Sequence, residues 1–249
     1  MPSDLLAAYK LFKDKLPKEE KDNVALVLHT APIDNNGTDL YAVRDLLLGE
    51  DDSIRFSQAK LSVEGMNYLY NLADITVLPS SNEGWGLALT ESMMAGTMII
   101  ANVTGGMQDQ MRFEDENGDW IKFDENFPSN HFGTYKKCGK WALPVFPSNS
   151  ALVGSPKTPY IFDDRLDFRE LANTLMESYK MSKKEIKERG LAGREWVTSD
   201  ESMASAQNMC KNIINNFDKL FKTWKPRKNF HFSKIDKLPI KTLTHKLVY

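Results

Sequence analysis

Two carboxylates, two glycines and an indole fall together in Glu83-Gly84-Trp85-Gly86-Leu87-Ala88-Leu89-Thr90-Glu91. Carboxylates accept hydrogen bonds from vicinal hydroxyls, and glycine lets the backbone come close to a ligand in dihedrals a side chain would forbid. Just upstream, Ile75-Thr76-Val77-Leu78 is a short β-branched run, and Leu87 to Ala95 shows helical apolar spacing up to Gly96. In an open α/β sheet, strand, glycine loop and helix in that order place the loop at the carboxyl end of the strand. The free N–H groups of the helix then point at whatever binds there. The chemistry this suits is a sugar nucleotide: one glutamate on a hexose, the other on a ribose, and the diphosphate against backbone donors.

Spacing alone does not make this reading. Glu177 and Glu185 repeat the same separation inside the charged segment Leu171 to Arg189, with no glycine until Gly190, and read as a solvated face. Trp85 alone reads as a core aromatic, and Gly105-Gly106 alone as a plain turn. Their company changes the reading: Ala73-Asp74 before the strand, Pro79-Ser80 after it, Glu83 to Glu91, Ala95-Gly96, the apolar strand Met98 to Ala101, then Gly105-Gly106.

That run resembles the donor-binding, C-terminal half of family 4 retaining glycosyltransferases with the two-domain GT-B architecture, whose signature is two glutamates separated by seven residues. The resemblance implies an α/β fold, a Rossmann-like doubly wound parallel sheet. It implies that Glu83 lies beside the donor sugar as the catalytic candidate and that Glu91 binds ribose hydroxyls. Gly84, Trp85, Gly86 and Leu87 would face the phosphates, with Gly105 and Gly106 completing the donor site. No cofactor and no metal is implied; the nucleotide-diphosphate sugar is a substrate, and a carbohydrate or other hydroxyl is the acceptor.

The chain departs from the family in two places. Family members carry an N-terminal Rossmann domain that supplies the acceptor site, expected here as a missing partner in cis or in trans. They also carry a strand, followed by an Arg and a Lys that grip the diphosphate, before the helix matching Ser3 to Leu16. In the usual doubly wound order that strand is central, so its absence should leave the strands at Val24 and Ile75 with unpaired edges. A fragment of a longer polypeptide, a two-chain enzyme, or partial substitution by Leu238 to Tyr249 would each account for this. The alternative function is a noncatalytic sugar-nucleotide-binding subunit or an inactive fragment.

Wider bounds follow from composition. At 249 residues, 41% hydrophobic and 27% charged, with net charge -2, the chain should form an ample globular core. Cys138 and Cys210 lack any zinc or disulfide spacing, which points to a reducing compartment. With no basic-then-apolar leader and no run of about 18 apolar residues, the expected location is cytoplasmic. Helices are expected over Ser3 to Leu16, Leu40 to Leu48, from a cap at Ser62, through Tyr179, from Ser182 to Val197, and from a cap at Asp200 toward Phe221. Strands are expected at Val24 to His29 and Ile54 to Phe56.

Residues 1–224 therefore read as a nucleotide-sugar-binding domain, with 107–165 a long insert serving as a functional element or surface flap. Lys136, Lys137, Lys140, Tyr135, Trp141 and Tyr160 in that insert suit either acceptor recognition or satellite packing. Glu114, Asp115, Glu116 and Asp119 lack the spacing of a calcium loop and should face water, and Asp163-Asp164 is open to either reading. His29 reads as structural. The tail, 225–249, carries Arg227, Lys228, Lys234, Lys237, Lys241 and Lys246 against one acid, Asp236. It leaves room for a weak peripheral membrane contact, while no base-reading motif supports nucleic acid.

Overall fold

The structure, a computed structural model, describes residues 1–34, 37–49, 51–124, 126–155, 158–202 and 204–226. In chain order its elements are α1 (Pro2–Asp14), β1 (Leu26–His29), α2 (Leu40–Leu48), β2 (Ile54–Ser57), α3 (Val63–Leu72), β3 (Ile75–Leu78), α4 (Leu87–Ala95), β4 (Met98–Asn102), α5 (Met107–Met111), β5 (Ala142–Val145), β6 (Pro147–Ser155), β7 (Thr158–Leu166), α6 (Phe168–Tyr179), α7 (Lys183–Thr198) and α8 (Ala206–Thr223). They divide into two units, residues 1–209 and 210–249, and the division falls inside α8 rather than at residue 224.

Within the first unit, β4 is the middle of a parallel three-stranded sheet, β3-β4-β5. It is buried throughout, and its alternate side chains enter two different cores. Met98 and Ile100 join Leu5, Leu6, Ala8, Tyr9 and Phe12 of α1 and Leu171 and Ala172 of α6. Ile99 and Ala101 join Leu89 and Met93 of α4 and Trp196 and Val197 of α7. A strand with two apolar faces requires helices on both sides of the sheet, so the winding is double, as the sequence implies.

Local chemistry sets the helix boundaries. Asp39 caps α2 by accepting from the amides of Tyr41 and Ala42 at 3.0 and 3.1 Å. Ser62, Asp167 and Ser182 do the same for α3, α6 and α7. Gly96 ends α4 in the left-handed region, at φ 82°. Asp200 does not begin the last helix: it lies in the turn after α7, and Ser205 Oγ accepts from the Asn208 amide instead.

The segment 107–165 is not a flap. It contains β5, whose Leu143 and Val145 are core residues, and Trp141, which is 4% exposed. Trp141 stacks between Trp120 and Trp196, with ring centroids 5.9 and 5.1 Å away. Packing is therefore the role of Trp141. Aromatic runs with proline and glycine obscured the strand, because β5 is only four residues long. Beyond it, β6 and β7 form an antiparallel hairpin outside the main sheet. Burial pushes the Cys138 thiol up to about 12, so it stays protonated near neutral pH.

The remaining strands, β1 and β2, pair in parallel with each other but not with β3. Among the described residues each of β1 and β3 thus keeps one edge without a strand partner, where the sequence anticipates a gap. The neighbourhood is correspondingly open. Val27 of β1 is 42% exposed, and α3 buries none of its residues. His29 is also exposed on this strand, with Nδ1 3.0 Å from Ser57 Oγ.

In the second unit, α8 continues to Thr223 and exposes Ile213, Phe217 and Phe221, and Trp224 just beyond it is exposed too. The basic tail from Arg227 and the stretch Leu238 to Tyr249 lie outside the described residues. Among the described residues no helix is long and apolar enough to cross a membrane.

Two consequences are testable. A Cβ at Gly190 of α7 would overlap the Gly96 carbonyl oxygen at the end of α4 and lie 2.8 Å from its carbon. Gly190→Ala should therefore lower unfolding free energy by about 1–3 kcal/mol in denaturant titration. Secondly, burial raises the Asp51 pKa, but bonds from Lys13 at 2.7 Å and from Ser53 overcome this and hold it below the usual value. A depressed carboxylate stabilises the fold above its unfolded pKa, and that contribution disappears as pH falls through the folded value. Lys13→Met should accordingly destabilise near neutral pH and lose much of its effect in acid, read from thermal midpoints against pH.

Candidate functional site

The carboxyl ends of β3 and β4 release two loops, and both carry glycines that pack backbone against backbone. The Gly106 amide donates to the Glu83 carbonyl at 3.1 Å. A Cβ on Gly105 would overlap that same oxygen, and one on Gly106 would overlap the Gly84 carbonyl and sit 2.8 Å from Trp85 Cα. Glycine is required here by contact, and at Gly86 by dihedral, φ 84°. Gly84 is different: it has no positive φ, and nothing lies within 4 Å of where its Cβ would be. Its surface is simply open, which leaves room for a ligand rather than relieving strain.

Gly86 is the N-cap of α4 and offers no side chain to the helix, whose first turn contains no acid. The uncapped N–H groups and the positive end of the helix dipole are thus available to an anion at the loop surface. Leu87, 66% exposed, lies at this mouth.

The loop is held by a polar network that the sequence did not announce. Trp85 Nε1 donates to Thr90 Oγ1 at 2.8 Å, and Thr90 Oγ1 donates to Gln110 Oε1 at 2.8 Å. Gln110 Nε2 returns to the carbonyls of Trp85 and of Gly86, the latter at 3.2 Å. Gln110 is fully buried on α5, and its own carbonyl accepts from Trp141 Nε1 at 3.0 Å. Trp85 is therefore a half-buried strut of the loop, with its indole N–H turned inward. No motif flags a lone glutamine; only its pairing with two loop carbonyls reveals the role.

The two carboxylates stand differently. Glu83 is half-buried, next to the amino end of α1: the Met1 amine donates to the Pro79 carbonyl at 3.1 Å. Burial lowers that amine's pKa, and the charges acting on it include Glu83, Asp163 and Arg165. Glu91 is exposed, and its Oε2 accepts from Tyr70 Oη at 2.8 Å. Burial and this carboxylate both push the Tyr70 phenol upward, so it remains a donor that orients Glu91.

Asp164 of β7 also enters the site. It is 2% exposed, accepts from Thr104 Oγ1 at 2.8 Å and from Ser150 Oγ, and its amide donates to the Ser81 carbonyl at 2.9 Å. Asn102 Nδ2 bonds the carbonyls of Ser80 and Asp164 at 2.9 and 2.7 Å. The pair Asp163-Asp164 thus resolves into a structural anchor, Asp164, and a half-buried neighbour. Asp115 accepts from the amides of Asn117 and Asp119 in a turn, and among the described residues no three His, Cys, Asp or Glu gather as metal ligands. Of the insert residues, Tyr135 packs against Phe127 and His131, Lys136 lies over Phe146 at 4.7 Å, and Tyr160 is exposed on the hairpin.

The α/β domain thus gathers a glycine loop, a helix start without a side-chain cap and two carboxylates at the carboxyl ends of a parallel sheet. Residues 2–126 match the family Glycosyl transferases group 1, and the chain belongs to it. An uncharacterized glycosyltransferase of Methanocaldococcus jannaschii is 31% identical over 83 residues, 33% of this chain and 21% of that protein. A D-inositol 3-phosphate glycosyltransferase of Corynebacterium glutamicum is 32% identical over 107 residues, 43% of this chain and 25% of that one. Among solved structures, sucrose-phosphate synthase from Thermosynechococcus elongatus superposes with a TM-score of 0.53 at 18% identity. An alpha,alpha-trehalose-phosphate synthase (UDP-forming) from Burkholderia vietnamiensis does so with 0.54 at 10%. The likeness covers 88% and 90% of this chain and 42% of each of those. The chain thus spans under half the length of these neighbours, whose fold it shares.

The contrast between the glycines is testable. Gly106→Ala should force the two loops apart, lowering stability by about 1–3 kcal/mol, whereas Gly84→Ala should melt like the parent in a thermal scan. Gln110→Leu should strand the Thr90 hydroxyl and two loop carbonyls. A loss of about 1–3 kcal/mol with a changed Trp fluorescence spectrum is expected.

Proposed function

We propose that this chain is the donor-binding half of a retaining glycosyltransferase of GT-B architecture, which takes a sugar from a nucleotide-diphosphate sugar and passes it to an acceptor hydroxyl. One observation carries the reading: the uncapped amino terminus of α4 lies under a locked glycine loop that has a carboxylate on either side in sequence. The diphosphate would lie on the free amides at Gly86 to Leu87. Glu91, oriented by Tyr70, would accept from the ribose hydroxyls, and Glu83 would position the hexose.

In the reaction the bond from the anomeric carbon to the phosphate oxygen breaks, a bond to the acceptor oxygen forms on the same face, and the acceptor's hydroxyl proton passes to the departing diphosphate. Charge builds on the departing diphosphate, and fixed donors aimed at that charge stabilise it without reorganising. The acceptor site and the remainder of the cleft would belong to a second domain, in cis or in trans.

The test is calorimetric titration with UDP, GDP, ADP and their hexose conjugates. Selective binding of one base is expected, weakened by about 1–3 kcal/mol in Glu91→Ala through lost charged hydrogen bonds. Glu83→Ala should reduce only the extra affinity contributed by the hexose. Equal nucleotide affinity in the Glu91 variant would remove its assignment, and no binding by folded protein would remove the donor-site reading.

A further inference from the structure

Resting on that donor-site reading, we propose that the loop-side face of the β6–β7 hairpin, carrying Phe162 and Leu152, is a stacking surface for a neutral saccharide acceptor.

Bonds from both strands fix which face this is. Asp164 of β7 accepts from Thr104 Oγ1 at 2.8 Å and from Ser150 Oγ across the ladder. Ser150 and Asp164 are register partners, so both side chains stand on the side turned toward the loop after β4. Two residues outward Leu152 pairs with Phe162, and alternation returns both to that side. Tyr160 lies two residues further along β7, where the ladder becomes irregular.

The loop that leads to Glu83 runs along this strand. The Asp164 amide donates to the Ser81 carbonyl at 2.9 Å, and Asn82 Nδ2 donates to the Phe162 carbonyl at 3.3 Å. Advancing from Ser81 to Asn82, the chain therefore moves from Asp164 to Phe162, with Glu83 next. The second loop keeps the same course: Thr104 holds Asp164, and two residues on the Gly106 amide donates to the Glu83 carbonyl at 3.1 Å. Phe162 and Leu152 thus flank the rim at the end that carries Glu83.

The chemistry of the face selects its occupant. Leu152, Tyr160 and Phe162 are 60, 63 and 62% exposed, and apolar side chains grouped at the edge of a site mark a binding surface. Asp164, the charged residue of this face, is 2% exposed and committed to Thr104 and Ser150, so the stripe offers nothing to a charged ligand. A pyranose turns C–H groups to one side and hydroxyls to its edge. The C–H side suits the electron-rich face of an aromatic ring, and the edge hydroxyls can donate to a carboxylate. Phe162 and Glu83 meet those two needs together. In the donor-site reading the nucleotide sugar extends from Glu83 toward the start of α4, whereas the hairpin joins this loop on the other side of Glu83, at Ser81 and Asn82. The ring on the hairpin is therefore that of the acceptor, and this chain contributes one wall of the acceptor site.

The experiment is saturation-transfer NMR on the full chain with maltotriose, cellotriose or mannotriose, in the presence of the nucleoside diphosphate that the parent binds among UDP, GDP and ADP. The parent should bind at least one of the three, with transfer strongest at ring C–H protons. Phe162→Ser and Leu152→Ser should each raise the dissociation constant about 3- to 10-fold, and Phe162→Tyr should hold it near the parent's. Nucleotide affinity and melting temperature should not change in any of them. Parental trisaccharide affinity in Phe162→Ser, or no trisaccharide bound by a parent that binds nucleotide, overturns this assignment and leaves the donor site standing. Self-association of the parent that Phe162→Ser abolishes also overturns it, since the face is then a contact between copies. A parent that binds no nucleotide overturns both readings.

Discussion

The carbonyls of Glu83 and Gly84 lie against the backbone of Gly105 and Gly106, and the site is organised around that contact. It requires the loops after β3 and β4 to approach more closely than any Cβ permits. Because β3 and β4 pair in register from Ile75↔Met98 to Leu78↔Ala101, the two loops leave the sheet at the same level. The buried sheet thereby sets the spacing, and the glycines convert it into a joined rim. Gln110 then fixes the Trp85 and Gly86 carbonyls from below, so the start of α4 is aimed by core packing rather than by a flexible loop.

The chemistry depends on what this rim leaves unsatisfied. An N-cap glycine gives α4 no side-chain acceptor, and no acid occupies its first turn. A solvent-facing helix in a protein without a ligand would gain from a serine or aspartate there, as α2, α3, α6 and α7 each do. α1, α4 and α5 start without such a cap, and of these α4 is the one that follows the loop carrying Glu83. Asp164 ties the hairpin to the two loops, through its amide on the Ser81 carbonyl and its carboxylate on Thr104.

Much of this was legible in the sequence, for reasons that differ by residue. β4, α2, α4 and the Ser62 and Ser182 caps announce themselves through unbroken apolar runs and cap residues. Glu83, Glu91 and the glycines stand out because their order matches a known arrangement. Strand β5 did not, since four residues bounded by aromatics, prolines and glycines carry no readable period. Gln110 and Tyr70 carry no signal in the sequence, and Asp164 only an open one, for another reason: each matters through partners 20 or more positions away, as in the Thr90–Gln110, Tyr70–Glu91 and Thr104–Asp164 bonds. Asp200 misled because a good cap residue before a helical run says nothing about where tertiary packing lets the helix start.

The most direct measurement is amide hydrogen exchange of the chain with and without a saturating nucleoside diphosphate sugar. Opening of the rim is expected to be suppressed on binding, so protection should rise together over residues 83–91 and 104–111, with the amino ends of β1 and β2 unchanged. A recess lined by Lys13, Asp22, Asp51 and Arg55 lies at those opposite ends of the strands. Protection confined to that recess, or none near Gly84 and Gly106 despite bound ligand, would contradict the account.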